Sequence, residues 1–145
     1  MAQPRSQFQL LDASITADRL GGFDVLFYNI KQQIVEINIY ESIYTVGLTG
    51  DITIVDNREL FDEINFQGNE RLKIVIAGMD ENAEPIITKT FIMGNILSEA
   101  RGDAKQAVYT FGLLEEHVYL SSAKKLRNSY RGTITNIIQD IALGE

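Results

Sequence analysis

The 145-residue chain has no cysteine, no tryptophan and a single histidine, His117. Without cysteine there are no disulfides, no thiolate metal ligands and no cysteine nucleophile. One imidazole cannot build a zinc or iron site of several histidines, and it leaves one candidate base for a Ser-His-acid triad. Proline is nearly as scarce, with Pro4 and Pro85 only, so glycine is the main breaker over the first hundred residues. No apolar run approaches the roughly 20 residues that a membrane helix needs, and no membrane insertion is expected. Met1 to Leu10 is polar apart from Phe8 and Leu10, which is not the apolar region of a secretory signal. These features point to a soluble chain made in a cytoplasm, a compartment that missing cysteines fit. Neither G-x-G-x-x-G nor a Walker A pattern occurs, so no phosphate-cradling loop is expected. What these absences leave open is an enzyme that works with carboxylates alone.

What is present is ordinary for a folded domain: 45% hydrophobic and 23% charged residues in the length of one domain. Charge is distributed unevenly around the net of −7. Up to Ser122 there are 18 acidic and 9 basic side chains, a balance of −9. From Ala123 onward Lys124, Lys125, Arg127 and Arg131 outweigh Asp140 and Glu145, a balance of +2. An acidic body disfavours specific nucleic acid as a ligand, because phosphate contacts dominate that affinity. The short basic cluster reads as a solvated linker or as a patch for an acidic surface.

The dominant pattern is alternation with period two, rich in Ile, Val, Thr, Tyr and Phe. Val35, Ile37 and Ile39 point one way; Ile52 and Ile54, then Leu72, Ile74 and Ile76, then Tyr109, Phe111 and Leu113 form further faces. Turn signals at Gly21-Gly22, Gly47 to Gly50, Gln67-Gly68-Asn69, Met79 to Glu84 and Arg101-Gly102-Asp103 separate the runs. This predicts strands near 7–16, 23–28, 33–42, 47–56, 70–79, 85–98 and 105–114. The expected fold is mainly β, an antiparallel barrel or sandwich of about seven strands, closed so that no Ile-rich edge is left open.

Two segments break the alternation. Asp56 to Ile64 offers a cap at Asp56 or Asn57 and apolar positions at 60, 61 and 64, which predicts a short inserted helix. Ile134, Ile137, Ile138 and Ile141 stand at i, i+3, i+4 and i+7, which predicts a C-terminal helix capped by Gly132 or Thr133. So short a helix needs a partner surface. The expected organisation is therefore a β-barrel domain over 1–122, then a linker and helix over 123–145 that opens a further domain or folds back on the barrel.

Chemistry-bearing groups are few. His117 lies beside Glu115 and Glu116, an arrangement that could serve acid–base work but reads more simply as a histidine at a strand end. Asp62/Glu63, Asp80/Glu81 and Glu115/Glu116 are carboxylate pairs. Glycosidases need two carboxyls facing across a cleft, whereas sequence neighbours on a strand point to opposite faces. Asp80 to Glu84 is acidic but lacks the ordered spacing of a calcium loop, and reads as a hairpin tip. Arg101-Gly102-Asp103 spells an adhesion tripeptide that a hairpin turn explains fully. No cofactor, no metal and no catalytic residue is expected.

The most distinctive stretch is Ile37-Asn38-Ile39-Tyr40-Glu41-Ser42-Ile43-Tyr44, then Thr49-Gly50-Asp51-Ile52-Thr53-Ile54-Val55-Asp56, then the short helix and Gly68-Asn69-Glu70-Arg71-Leu72-Lys73-Ile74. This order resembles the N-terminal barrel domain of baseplate hub subunits of contractile-tailed bacteriophages of the T-even type, which are related to the hub-like part of type VI secretion spike proteins. It runs from about Gln33 to Ile76 and continues more loosely through Phe91 to Ile96, Val108 to Leu114, Glu116 to Ser122 and the helix from Gly132 to Ile138. The resemblance implies a tail-tube-like barrel in a structural virion protein, assembled in the host cytoplasm and located in the tail baseplate. Its partners would be further copies of itself in a trimer or ring, the tail tube protein, the spike protein and baseplate wedge proteins. Members of that family are longer, with two barrels per subunit, whereas this sequence holds one. The resemblance further places Glu41, Ser42 and Tyr44, with Lys124, Lys125, Arg127 and Arg131, at subunit or interdomain contacts. Two other readings stand beside it: an OB-like β-barrel binding module and a carboxylate-based hydrolase. Against the OB-like module, the strands interleave few aromatics with Lys or Arg.

Overall fold

The alternating runs become seven antiparallel strands in a computed structural model that describes residues 8–18, 25–79, 84–102, 106–123 and 131–143. The strands are β1 (Phe8–Asp18), β2 (Val25–Asn29), β3 (Ile34–Tyr40), β4 (Thr49–Asp56), β5 (Glu70–Gly78), β6 (Pro85–Arg101) and β7 (Ala107–Glu115). Helix α1 (Leu60–Ile64) lies between β4 and β5, α2 (Glu116–Ala123) follows β7 directly, and α3 (Ile134–Leu143) comes last. The strands form one sheet in the order β2-β1-β5-β6-β7-β4-β3, curled into a half-barrel.

Period two decides what is inside. Ala13, Ile15 and Ala17 from β1, Ile52 and Ile54 from β4, Leu72 and Ile74 from β5, and Tyr109, Phe111 and Leu113 from β7 share one buried cluster. Each large apolar side chain so buried contributes about 1.5–3 kcal/mol relative to exposure. Helix α1 adds Leu60, Phe61 and Ile64 to the same cluster. The Phe61 ring lies 4.7 Å from that of Phe111 and 5.1 Å from that of Tyr109, with Phe66 packed 4.9 Å from Phe111.

Closure differs from the expectation. The edge strands β2 and β3 are consecutive in the chain and joined through Ile30 and a single 3-10 turn, Lys31–Gln33. Among the described residues no ladder pairs them. The fully buried Ile30 makes the crossing, its N–H donating to the Ala13 carbonyl at 2.9 Å. Helix α1 is tied to the β2 edge by Tyr28 Oη, which donates to Glu63 Oε1 at 3.2 Å. Side chains therefore fill a gap that strand pairing leaves open.

Strand β3 corrects the expected phase. Its pairing with β4 shifts between Ile34 and Glu36. That bulge turns Val35 out to 65% exposure while Ile34, Ile37 and Ile39 pack on the core. A one-residue slip exchanges faces, so simple alternation through Val35 fails there. Strand β6 is longer than expected, and its pairing with β7 shifts at Met93/Asn95 and again at Ile96/Ser98. Its residues 85–93 pair with β5 and its residues 91–101 with β7.

The helix starts also differ in detail. Residue Glu59, in left-handed backbone (φ 56°), occupies the cap position of α1 and gives no side-chain cap bond. The expected cap Asp56 nevertheless serves the same turn from three residues ahead of the cap position: Oδ1 accepts from Arg58 N–H at 3.0 Å and Oδ2 from Phe61 N–H at 3.1 Å. For α3 the expected cap is in place, with Thr133 Oγ1 accepting from Asn136 N–H at 3.4 Å. Helix α2 was not expected, because Glu116 to Ala123 carries no apolar stripe. It forms where Val118 can pack against Gly47 of the β3–β4 connection.

Candidate functional site

The connection between β3 and β4, residues 41–48, carries three large apolar side chains into solvent: Ile43 is 92%, Tyr44 91% and Val46 78% exposed. Such exposure on a folded loop needs the loop to be held from behind. The hold begins at Gly47, whose φ of +74° favours glycine and whose absent Cβ would stand 2.3 Å from Val118 Cγ2. Next to it, Leu48 N–H donates to Glu115 Oε2 at 2.8 Å, and Glu115 N–H returns a bond to the Leu48 carbonyl at 3.0 Å. Ser42 Oγ accepts from Tyr44 N–H at 3.2 Å, forming a local turn inside the loop.

Glu115 is the electrostatic centre of this end. Its side chain is 5% exposed. Lys89 Nζ donates to Oε1 at 2.5 Å, and His117 Nδ1 lies 3.3 Å from the same oxygen. Burial is the largest single influence and pushes the carboxyl up. The Lys89 hydrogen bond, the Leu48 N–H and the neighbouring His117 and Lys89 charges together outweigh it, and the group lies below the ordinary carboxylate range. A carboxylate this committed anchors a loop; its oxygens are already taken by β6, the loop and α2.

Beside this anchor runs a cleft. Its polar part, about 610 Å³, is lined by loop residues Glu41, Ser42, Thr45 and Gly47 with Thr88, Lys89 and Glu115. An adjoining apolar hollow of about 390 Å³ is walled by Phe8, Ile37, Ile39, Ile76, Ile86 and Ile87. The two share Ile39, Ile86 and Ile87 in their walls and so adjoin one another at the mouth of the half-barrel. Phe8 and Ile86 at its rim are 59% and 61% exposed.

Of the expected contact residues, the fold brings Glu41, Ser42 and Tyr44 together on this exposed loop. Arg131 is exposed, just ahead of α3. Lys124, Lys125 and Arg127 lie outside the described residues. The single histidine is the second residue of α2 and not a strand end, for the reason that the strand stops at Glu115. The pair Glu115/Glu116 diverges: Glu115 goes inward to Lys89, while Glu116 Oε1 meets Arg71 Nε at 2.5 Å on the outside. Gly102 N–H donates to the Gln106 carbonyl at 2.8 Å, the hairpin reading of the Arg101-Gly102 turn, with Asp103 outside the described residues. Asp80 and Glu81 also lie outside them.

The cleft and its anchor were not foreseen. Lys89 and Glu115 are 26 residues apart and meet only through β6–β7 pairing. Ile37 and Ile76 belong to strands that are not neighbours in the sheet and face one another across the curl. The sequence signal that could have pointed there is the run Ile43-Tyr44-Thr45-Val46, apolar inside a turn. Among the described residues no group of three or more His, Asp or Glu could hold a metal ion, and no helix is long and apolar enough to cross a membrane. No family model, no curated protein and no solved structure matches this chain.

Proposed function

We propose that the chain is a structural subunit that works by assembling, and that the assembly is the baseplate hub of a contractile phage-type tail, the adaptor between tail tube and spike. The observation that carries the assembling role is the loop of residues 41–48, anchored through Gly47, Leu48 and Glu115 yet presenting Ile43, Tyr44 and Val46 to solvent. A contiguous exposed apolar patch on a folded domain marks a contact surface. The hub assignment adds the resemblance in Gln33 to Ile76, which covers β3, the exposed loop, β4, α1 and most of β5.

On this reading the partners are further copies of the chain in a trimer or ring, together with tail tube, spike and baseplate wedge proteins, and the site of action is the virion baseplate after assembly in the host cytoplasm. Glu41, Ser42 and Tyr44 belong to one contact, and Lys124, Lys125, Arg127 and Arg131 to another. Glu115 and His117 have a positioning role for the loop and no catalytic one.

Sedimentation velocity at rising protein concentration, alone and with tail tube and spike proteins of contractile phages, tests the proposal. A trimer or ring that co-sediments with either partner is expected, and Glu41→Lys should weaken it without lowering the melting temperature. A strictly monomeric chain that tightly binds single-stranded oligonucleotide would overturn it in favour of an OB-like binding module.

A further inference from the structure

The chain carries a protruding apolar surface and a receding one, and satisfies neither by itself. On α3, Ile134, Ile138 and Ile141 are 77%, 60% and 46% exposed. They form one stripe at helical spacing, and α3 makes no extended packing against any other described element. At the mouth of the half-barrel the apolar hollow lined by Ile37, Ile39, Ile76 and Ile86 stands open, with a volume of about 390 Å³. An amphipathic helix laid into an apolar groove is a recurring mode of recognition, read through residues at i, i+3, i+4 and i+7.

We propose that α3 of one copy docks into the cleft of a second copy. The occupant follows from charge as well as shape. The helix is preceded by Lys124, Lys125, Arg127 and Arg131, whereas the body up to Ser122 carries a balance of −9. Glu41 lines the cleft, and Glu84 directly precedes the strand that supplies Ile86 and Ile87. Among the described residues lining the cleft the one cation, Lys89, is engaged by Glu115 and does not oppose the arriving basic segment. A basic approach to an acidic rim raises the encounter rate and sets the direction of docking. Because stripe and cleft lie on different parts of the chain, each copy gives one helix and receives one, which a reciprocal pair or a closed ring satisfies. This proposal rests on the reading of the chain as an assembling subunit, and not on the identity of the assembly.

Paired charge insertions test it. Ile138→Lys spoils the helix and leaves the cleft; Ile86→Lys spoils the cleft and leaves the helix. Both positions are largely exposed, so circular dichroism and melting should match the parent. Each variant alone should associate at least about tenfold more weakly in sedimentation velocity, because a lysine charge would be buried in an apolar hollow. An equimolar mixture should recover a dimer and stop there, since one good helix meets one good cleft. Absence of native cysteine permits a second readout that does not depend on tolerating lysine. Ile86→Cys and Ile138→Cys chains, mixed and treated with a short bismaleimide, should give a crossed dimer that neither forms alone. If the Ile86→Cys/Ile138→Cys double variant links within the monomer at a yield independent of dilution, α3 folds back on its own barrel and the proposal is overturned. If both lysine variants assemble like the parent, the helix contact is overturned while the assembling role stands. If the parent is monomeric at every concentration, both fall.

Discussion

The connection from the end of β4 through α1 to β5 is flanked by buried Asp56 and Glu70, which hold its loops through backbone N–H groups; at the start of β4, Glu115 does the same for the loop of residues 41–48. Asp56 accepts from Arg58 and Phe61, and Glu70 accepts from Gln67, Gly68 and Asn69 at 2.8 to 3.1 Å. Around the first pair the aromatic side chains turn inward, with Phe61, Phe66, Tyr109 and Phe111 in ring contact. In the loop that Glu115 holds, the large apolar side chains turn outward, with Tyr44 and Ile43 in solvent. Both ends satisfy a buried carboxylate with backbone donors. What differs is the direction of the apolar payload, which separates an end that stabilises the fold from an end that is free to make contacts.

That contrast can be broken in graded steps. Phe61→Ala should cost about 3–5 kcal/mol, because it opens a cavity among the three rings of Phe66, Tyr109 and Phe111 and removes buried area; urea unfolding with an unchanged m-value would register it as a lower midpoint. A loss below about 1 kcal/mol would mean that α1 does not seal the barrel. Gly47→Ala should cost about 1–3 kcal/mol, combining positive φ with a Cβ driven into Val118, and should also weaken self-association by displacing the loop. Unchanged stability would show that the contact with α2 does not hold the loop. Asp56→Ala should cost about 1–2 kcal/mol by stranding the donors at the start of α1, while leaving association as it was.

Glu115→Gln sharpens the comparison through pH. The Glu115 carboxyl is held below its ordinary range in the folded chain. Its ionic contribution is therefore fully present above the ordinary carboxylate value and is lost as pH falls through the lowered one. The stability gap between parent and Glu115→Gln should be widest near neutrality and should close in acid, measured as melting temperature against pH. A gap independent of pH would show that the Lys89 pair contributes nothing. Smallest on stability, within about 0.5 kcal/mol, should be Tyr44→Ser, since that side chain touches almost nothing in one copy; its effect should appear in sedimentation alone.

Strand existence was legible because burial on one face of a sheet imposes period two, and Ile52, Ile54, Leu72, Ile74, Phe111 and Leu113 obey it. The two apolar helices were legible for the corresponding reason at period 3.6. Val35 was misread because a bulge is a pairing event between two strands and leaves no mark in the spacing of one. Helix α2 was missed because Glu116 to Ala123 has no stripe to detect, and what supports it is the vacant Cβ position of Gly47, 71 residues before Val118.

The expected contact residues divide along the same line. Glu41, Ser42 and Tyr44 were singled out through the family resemblance, beside an apolar turn, Ile43 to Val46, that is unusual in any sequence. That they stand over a cleft could not, because its walls come from β1, β3, β5, β6 and β7 and meet only when the sheet curls. Sequence alone determined the element types, the inward faces and the lack of thiol or multi-histidine chemistry, all of which depend on local spacing and residue type. Tertiary structure alone decided which edges stay unpaired, which carboxylates are buried and where the cleft opens, because these depend on strand order and register, and long-range pairing is not written in any one segment.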